Sequence, residues 1–128
     1  ISPGMIHIAP GDGHMTLREF AGDLRVRIVK GPMPSGCTPS VDPMFESLAT
    51  AVNGEALGVV LSGMGKDGAI GAKALVEAGG TIFAQDQESS AVWGMPRAVA
   101  ERGLATVILP PDKLALRMAT LMEAGSWK

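Results

Sequence analysis

The stretch V-V-L-S-G-M-G-K-D-G, residues 59–68, decides the fold of this chain. Its apolar run is typical of a buried strand, and the glycine-rich turn that follows leads into a helix-like stretch. A strand, a turn and a helix in this order begin a βαβ unit, whose turn lies at the carboxyl end of a parallel strand. Open α/β sheets bind their ligands at that end. We therefore take the turn as the first candidate site.

Three interpretations fit the turn. Gly63, Gly65 and Gly68 match the dinucleotide-binding pattern G-x-G-x-x-G, with Asp86 as the acidic residue about 20 positions later. Asp67 is instead a carboxylate on a tight turn, the kind of group that orients a catalytic histidine. The glycines could also simply permit the turn, with Asp67 capping the helix that follows. The charge of Asp67 would repel a pyrophosphate, which weakens the dinucleotide interpretation.

Strand and helix patterns alternate along the rest of the chain. They predict strands over residues 5–9, 56–62, 81–84 and 105–109, a hairpin formed by 16–20 and 24–29, and helices over 41–52, 67–78, 97–102 and 111–122. Ser40 is the predicted N-cap of the first helix. This order predicts an α/β fold, a mostly parallel, Rossmann-like, doubly wound sheet flanked by helices, with the antiparallel hairpin attached to it.

Composition excludes several classes of function. The 128 residues carry a net charge of −2 and show no basic cluster, which argues against nucleic acid as a partner. Cys37 is the only cysteine, so the chain can form neither an internal disulfide nor a thiolate metal site. The apolar runs are too short to span a membrane. We expect a cytoplasmic protein with no cofactor, no bound metal and no direct membrane insertion.

Five segments together resemble the catalytic domain of the CheB-type chemotaxis receptor protein-glutamate methylesterases. They are I-H-I-A-P-G-D-G-H-M (6–15), T-P-S-V-D (38–42), G-V-V-L-S-G-M-G-K-D-G-A (58–69), E-A-G-G (77–80) and A-Q-D-Q-E-S-S-A-V-W-G-M-P-R-A (84–98). They occur in the order of the family, and the resemblance covers essentially the whole chain. The motifs around residues 63–68 and 84–96 are the most specific.

The resemblance implies a serine hydrolase that removes methyl esters from receptor glutamates, and that also deamidates receptor glutamines. It implies that Asp67 is the aspartate of a Ser-His-Asp triad and that the backbone N–H of Met64 is the oxyanion donor. The partners that it implies are methylated chemotaxis receptors. Family members commonly carry an N-terminal receiver domain as well.

The nucleophilic serine and the catalytic histidine of the family precede the segment that matches this chain. We therefore expect residues 1–128 to be a single, partial methylesterase domain that lacks its N-terminal part and is inactive alone. Other serines and histidines are expected to have structural roles rather than to replace that pair: Ser62, Ser89, Ser90, His7 and His14. The alternative from another class is a catalytically dead binding or interaction module.

Overall fold

The computed structural model describes residues 1–124, which form a three-stranded parallel sheet, a two-stranded antiparallel sheet and four helices. In chain order the elements are β1 (His14–Phe20), β2 (Asp23–Val29), α1 (Asp42–Ala51), β3 (Leu57–Val60), α2 (Ala69–Glu77), β4 (Thr81–Gln85), α3 (Met95–Ala100), β5 (Val107–Leu109) and α4 (Pro111–Glu123). None of the four helices in this part of the chain has both the length and the apolar character needed to cross a membrane.

The parallel sheet has the strand order β3-β4-β5 and is flanked by helices, which confirms the predicted α/β fold. Val60 pairs with Ala84, so β3 and β4 end side by side. Because parallel strands end at the same edge, the turn after β3 and the segment after β4 leave the sheet together. We call residues 61–68 the glycine loop. Residues 85–95, from the last residue of β4 to the first of α3, are the neighbouring loop.

The hairpin of β1 and β2 is the predicted antiparallel attachment, with a two-residue turn at Ala21 and Gly22. It is joined to α1 through the side chain of Ser47, whose hydroxyl oxygen accepts a hydrogen bond from the N–H of Leu17 at 2.9 Å. The hairpin therefore packs on α1 and takes no part in the parallel sheet.

Helices α1 and α2 approach each other closely at Gly71. A Cβ atom at this position would lie 2.5 Å from the carbonyl oxygen of Asp42 and 2.7 Å from Cβ of Phe45. Phe45 and Leu75 are buried in the same core as Ile82 of β4. This close packing brings the first turn of each helix next to the other, which decides the geometry of the candidate site.

Two predictions of local structure are wrong. Residues 5–9 form no strand, and Ile6 and Ile8 are 90% and 87% exposed, because no described strand lies alongside to accept their backbone hydrogen bonds. Ser40 is not the N-cap of α1, since that position is occupied by Val41. The side chain of Ser40 instead bonds to a residue from another loop, as described below.

Candidate functional site

Asp67 occupies the end of the glycine loop and is only 5% exposed. Its Oδ1 accepts a hydrogen bond from the Ser40 hydroxyl at 2.6 Å, and its Oδ2 accepts one from the N–H of Val41 at 2.8 Å. The N–H of Asp42 approaches Oδ1 at 3.4 Å. Since the first N–H groups of a helix have no partner within the helix, a carboxylate at this place stabilises its N-terminus. Asp67 therefore caps α1, and not the helix α2 that directly follows it.

Asp42 forms the reciprocal contact, from the first turn of α1 to the N-terminal part of α2. It lies in the first turn of α1, and its Oδ1 accepts a hydrogen bond from the N–H of Gly71 in α2 at 2.8 Å. The start of α1 thus donates to Asp67, which lies in the turn before α2, and α2 donates to Asp42, which lies in α1. The two carboxylates fix the glycine loop to the start of α1.

The pKa values of the two aspartates move in opposite directions. Burial raises the pKa of Asp67, but the hydrogen bonds from the Ser40 hydroxyl and from the N–H groups of Val41 and Asp42 outweigh burial and hold it below its ordinary value. Burial also raises the pKa of Asp42, and there the N–H of Gly71 compensates only in part, so that it stays above its ordinary value. Asp67 is therefore the carboxylate that the fold keeps ionised.

Asp67 retains the capacity for one more hydrogen bond. An ionised carboxylate offers about four lone-pair sites, and three donors already contact this one. In the described residues Oδ1 accepts from Ser40 and Asp42, whereas Oδ2 accepts from the N–H of Val41. By the count of lone pairs, the carboxylate has capacity for one further donor, such as an imidazole N–H.

Met64 presents the other candidate group of the glycine loop. Its side chain is 82% exposed, and its backbone N–H donates no hydrogen bond to any residue in the described range 1–124. Gly65, the next residue, has a φ of +88°, a conformation that residues with a side chain rarely adopt. The turn thus displays the N–H of Met64 at the carboxyl edge of the sheet, where it is available to an oxygen atom of a ligand.

His14 and Ser40 lie near Asp67 but are not connected to it as a triad. His14 is fully buried, its Nδ1 accepts a hydrogen bond from the N–H of Ser40 at 3.0 Å, and its Nε2 donates to the carbonyl oxygen of Gly31 at 2.8 Å. The Ser40 hydroxyl donates to the carboxylate and not to the imidazole. Both groups therefore support the loop, whereas His7 is exposed and takes part in none of these hydrogen bonds.

The remaining hydroxyl candidates are occupied by local hydrogen bonds. The Ser62 hydroxyl donates to the carbonyl oxygen of Val92 at 3.1 Å and accepts a hydrogen bond from the N–H of Val92 at 3.0 Å. Ser89 bonds to the Asp86 carboxylate with both its N–H and its hydroxyl, and the Ser90 hydroxyl donates to the carbonyl oxygen of Asp86 at 2.6 Å. The two serines order their loop, as predicted.

The geometry gives little support to a dinucleotide at Gly63, Gly65 and Gly68. The carboxylate of Asp86 closes its own turn, and the ionised Asp67 lies directly before α2, where a pyrophosphate would have to bind. Within residues 1–124, no three His, Cys, Asp or Glu side chains lie close enough together to hold a metal ion.

Comparison with known families tests the resemblance that the motifs carried. The family model described as CheB methylesterase matches residues 1–118. The chain belongs to the CheB methylesterase family. This confirms the resemblance that the motifs carried.

The CheB relatives are proteins of bacteria. A Caulobacter vibrioides protein named protein-glutamate methylesterase/protein-glutamine glutaminase 2 is 50% identical over 121 residues, which cover 94% of this chain and 35% of that protein. A Maricaulis maris protein of the corresponding name is 52% identical over 109 residues, which cover 85% of this chain and 27% of that protein. The chain thus spans about a third of the length of these curated relatives.

The fold agrees with a solved CheB structure. The crystal structure of the Thermotoga maritima CheB methylesterase catalytic domain matches with a TM-score of 0.91 and 36% sequence identity, over 94% of this chain and 64% of that domain.

Sequence reasoning missed three residues that organise the candidate site: Ser40, Asp42 and Gln85. Ser40 and Asp42 hold the glycine loop against α1, and Gln85 is buried behind that loop. All three lie inside the motifs that carried the resemblance, T-P-S-V-D and A-Q-D. A polar residue inside a specific motif, next to a predicted site, was the signal that could have identified them.

Proposed function

We propose that the protein is a protein-glutamate methylesterase, which hydrolyses the methyl esters of glutamates in chemotaxis receptors. In this reaction a serine oxygen attacks the ester carbonyl while a histidine takes the proton of the serine. The histidine returns the proton to the leaving methoxide, which departs as methanol, and water then hydrolyses the acyl-enzyme to free glutamate. No residue of this chain is assigned to the serine or the histidine.

In this proposal the glycine loop supplies two groups to the reaction. The N–H of Met64 donates a hydrogen bond to the oxyanion that forms when the carbonyl is attacked, and one such donor contributes about 10²–10³-fold to kcat. Asp67 accepts the N–H of the histidine and stabilises the imidazolium that forms after the proton transfer.

The state of Asp67 is the observation that supports the proposal most. A carboxylate that balances an imidazolium has to be ionised, fixed in direction and able to accept one more hydrogen bond. Asp67 is buried, yet its pKa lies below the ordinary value, and Ser40 and Val41 hold both of its oxygens.

The proposal extends to the wider protein. Residues 1–128 are part of one methylesterase domain in the cytoplasm, and the receptors are its substrates. Deamidation of receptor glutamines belongs to the same proposal, because the relatives are named as glutaminases too and an amide carbonyl reacts by the same steps. The proposal also includes a regulatory receiver domain in the full-length protein. The 128-residue chain alone is expected to release no methanol.

The test measures methanol release by the full-length protein. Receptor-containing membranes are methylated with a tritium-labelled methyl donor, and the volatile radioactivity is collected after the protein is added. We expect steady release by the wild type and a loss of about 10⁴-fold for Asp67→Asn, which keeps the size of the side chain but removes its charge. Asp23→Asn is the matched control, since the Asp23 side chain is 72% exposed.

Three results would each contradict part of the proposal. A wild-type protein that binds methylated receptors but releases no methanol would instead support the alternative of a binding module. Equal methanol release by the wild type and by Asp67→Asn would remove Asp67 from the mechanism. Release by the purified 128-residue chain would contradict the expectation that this chain is inactive alone.

A further inference from the structure

The neighbouring loop holds Gly63, the residue directly before Met64, from two sides. The N–H of Gly63 donates to the carbonyl oxygen of Val92 at 3.0 Å. The carbonyl oxygen of Gly63 accepts hydrogen bonds from the N–H of Gly94 at 3.1 Å and from that of Met95 at 2.9 Å. Both peptide groups of Gly63 are therefore fixed by contacts outside the glycine loop.

These contacts determine the direction of the Met64 N–H. The carbonyl group of Gly63 and the N–H of Met64 belong to one planar peptide unit, and in a trans peptide they point in opposite directions. The two donors that hold the carbonyl oxygen thus aim the N–H away from Gly94 and Met95. Hydrogen bonds accepted by the carbonyl also polarise the peptide group, which makes its N–H a stronger donor.

Gln85 links the two loops through hydrogen bonds of its side chain. Its side chain is 5% exposed, its Oε1 accepts a hydrogen bond from the N–H of Ser62 at 2.7 Å, and its Nε2 donates to the carbonyl oxygen of Ser89 at 3.0 Å and to the Ser89 hydroxyl at 3.1 Å. The N–H needs an acceptor and the carbonyl needs a donor, and the amide side chain of Gln85 supplies both at once. Gln85 therefore fixes the entry to the glycine loop.

Gly94 allows the two backbones to touch. A Cβ atom on Gly94 would lie 2.7 Å from the carbonyl oxygen of Gly63 and 2.8 Å from that of Gly65. Gly94 has a φ of −100°, which any residue adopts, so the restriction is only one of space. Any side chain at this position would push the glycine loop away from the neighbouring loop.

We propose that Gln85 and Gly94 are positioning residues that aim the backbone N–H of Met64 at the oxyanion. This inference rests on the proposed function, and it gives a role to the motif A-Q-D-x-x-S-S-x-x-x-G-M-P. The two residues contact no substrate. They act through the peptide unit between Gly63 and Met64, which they hold in the orientation that the transition state requires.

The test compares kcat and KM for methanol release by the full-length protein. We expect Gln85→Ala and Gly94→Ala each to lower kcat by about 10- to 100-fold, approaching the loss of one oxyanion donor, with KM changed less than twofold. The double variant is expected to lose little more than either single one, because both substitutions disturb the same peptide unit. Two independent structural defects would instead multiply.

Gln87→Ala is the matched control, with the same residue type in the same loop. The Gln87 side chain is exposed and forms no hydrogen bond to the residues in the described range, so kcat is expected to stay at the wild-type value. Amide hydrogen exchange at Ser62 and Gly63, measured in the same proteins, is expected to become faster in Gln85→Ala and to remain slow in the control.

Each outcome decides the inference. An unchanged kcat in Gln85→Ala and Gly94→Ala, while the wild type is active and Asp67→Asn is not, overturns the inference and leaves the proposed function intact. A fall in kcat that is multiplicative in the double variant also overturns it, because the two residues would then act independently and not through one shared peptide unit. A wild type that releases no methanol overturns the proposed function, and this inference with it.

Discussion

We expect Asp67→Ala to lower the free energy of unfolding by about 3 to 6 kcal/mol. Two short hydrogen bonds to the ionised carboxylate, from Ser40 at 2.6 Å and Val41 at 2.8 Å, are lost, and each contributes about 1.5–3 kcal/mol. The contact from Asp42 is 3.4 Å long and adds little. At roughly 4 °C per kcal/mol for a domain of this size, the midpoint of thermal unfolding should fall by about 10 °C or more.

Asp67→Asn should cost much less, about 1–2 kcal/mol. The asparagine oxygen can still accept the N–H of Val41, and its amide can donate to the Ser40 hydroxyl, whose oxygen is able to accept. What is lost is the charge, since hydrogen bonds to an ionised group are about twice as strong as neutral ones. This variant therefore suits the activity test, because it removes the charge and leaves the fold in place.

The stability difference between the wild type and Asp67→Asn should depend on pH. The pKa of Asp67 is lower in the folded state than its ordinary value of 3.8, so its ionisation stabilises the fold above that value. That contribution is lost as the pH falls through the lowered pKa. The difference should therefore be largest from pH 5 upward and shrink below about pH 4.

Urea unfolding of the full-length protein at several pH values, followed by circular dichroism, measures this difference. Asp23→Asn serves as the control and should stay within about 0.5 kcal/mol of the wild type, because its side chain is mostly exposed. A cost below about 1 kcal/mol for Asp67→Ala, or a difference for Asp67→Asn that is constant between pH 7 and pH 3, would refute the reasoning.

Three further predictions follow from the same contacts. Asp42→Asn keeps an acceptor for the N–H of Gly71 and removes a disfavoured buried charge. Its free energy of unfolding in urea should therefore equal or exceed that of the wild type at pH 7. The advantage should disappear as the pH falls through the raised pKa of Asp42, because the wild-type carboxyl then becomes neutral as well. His14→Ala should lower the free energy of unfolding by about 3 kcal/mol in the same assay, because both ring nitrogens of this buried side chain form hydrogen bonds. A loss of methanol release as large as that of Asp67→Asn in folded His14→Ala protein would contradict a purely structural role and point to His14 as the general base. Gly71→Ala should cost about 1–3 kcal/mol because its Cβ meets the backbone of α1, whereas Ile70→Ala, at a position 53% exposed, should be nearly neutral.

The sequence predicted the order of the elements well, because the signals for them are local. The two glycines at 79 and 80 end α2, and a proline in the first turn begins α3, as expected. Residues 5–9 show the limit of this reasoning. Alternating apolar residues describe a strand that could be half-buried, but they do not supply the partner strand that its backbone requires.

The candidate site was predicted only in part. Asp67 could be singled out from its place in the turn, but its partners Ser40 and Val41 are 27 and 26 residues earlier in the chain. A capping side chain is recognised in a sequence when it directly precedes its helix, and Asp67 precedes α2 while it caps α1. Only the close approach of α1 and α2 at Gly71, a tertiary contact, reveals which helix it serves.

The three glycines of the loop satisfy the dinucleotide pattern for reasons that involve no phosphate. At Gly63 a Cβ atom would lie 2.8 Å from Sδ of Met95, so the Met95 side chain would have to shift to admit any side chain there. At Gly68 the φ of +89° is needed to turn the chain into α2, and a Cβ atom would also meet Val41 at 3.0 Å. The G-x-G-x-x-G spacing therefore arises here from the Met95 and Val41 side chains that pack against Gly63 and Gly68 and from the positive φ angles of Gly65 and Gly68. The spacing indicates a tight turn after a parallel strand. The ligand has to be inferred from the charge beside the glycines, and here that charge is the carboxylate of Asp67.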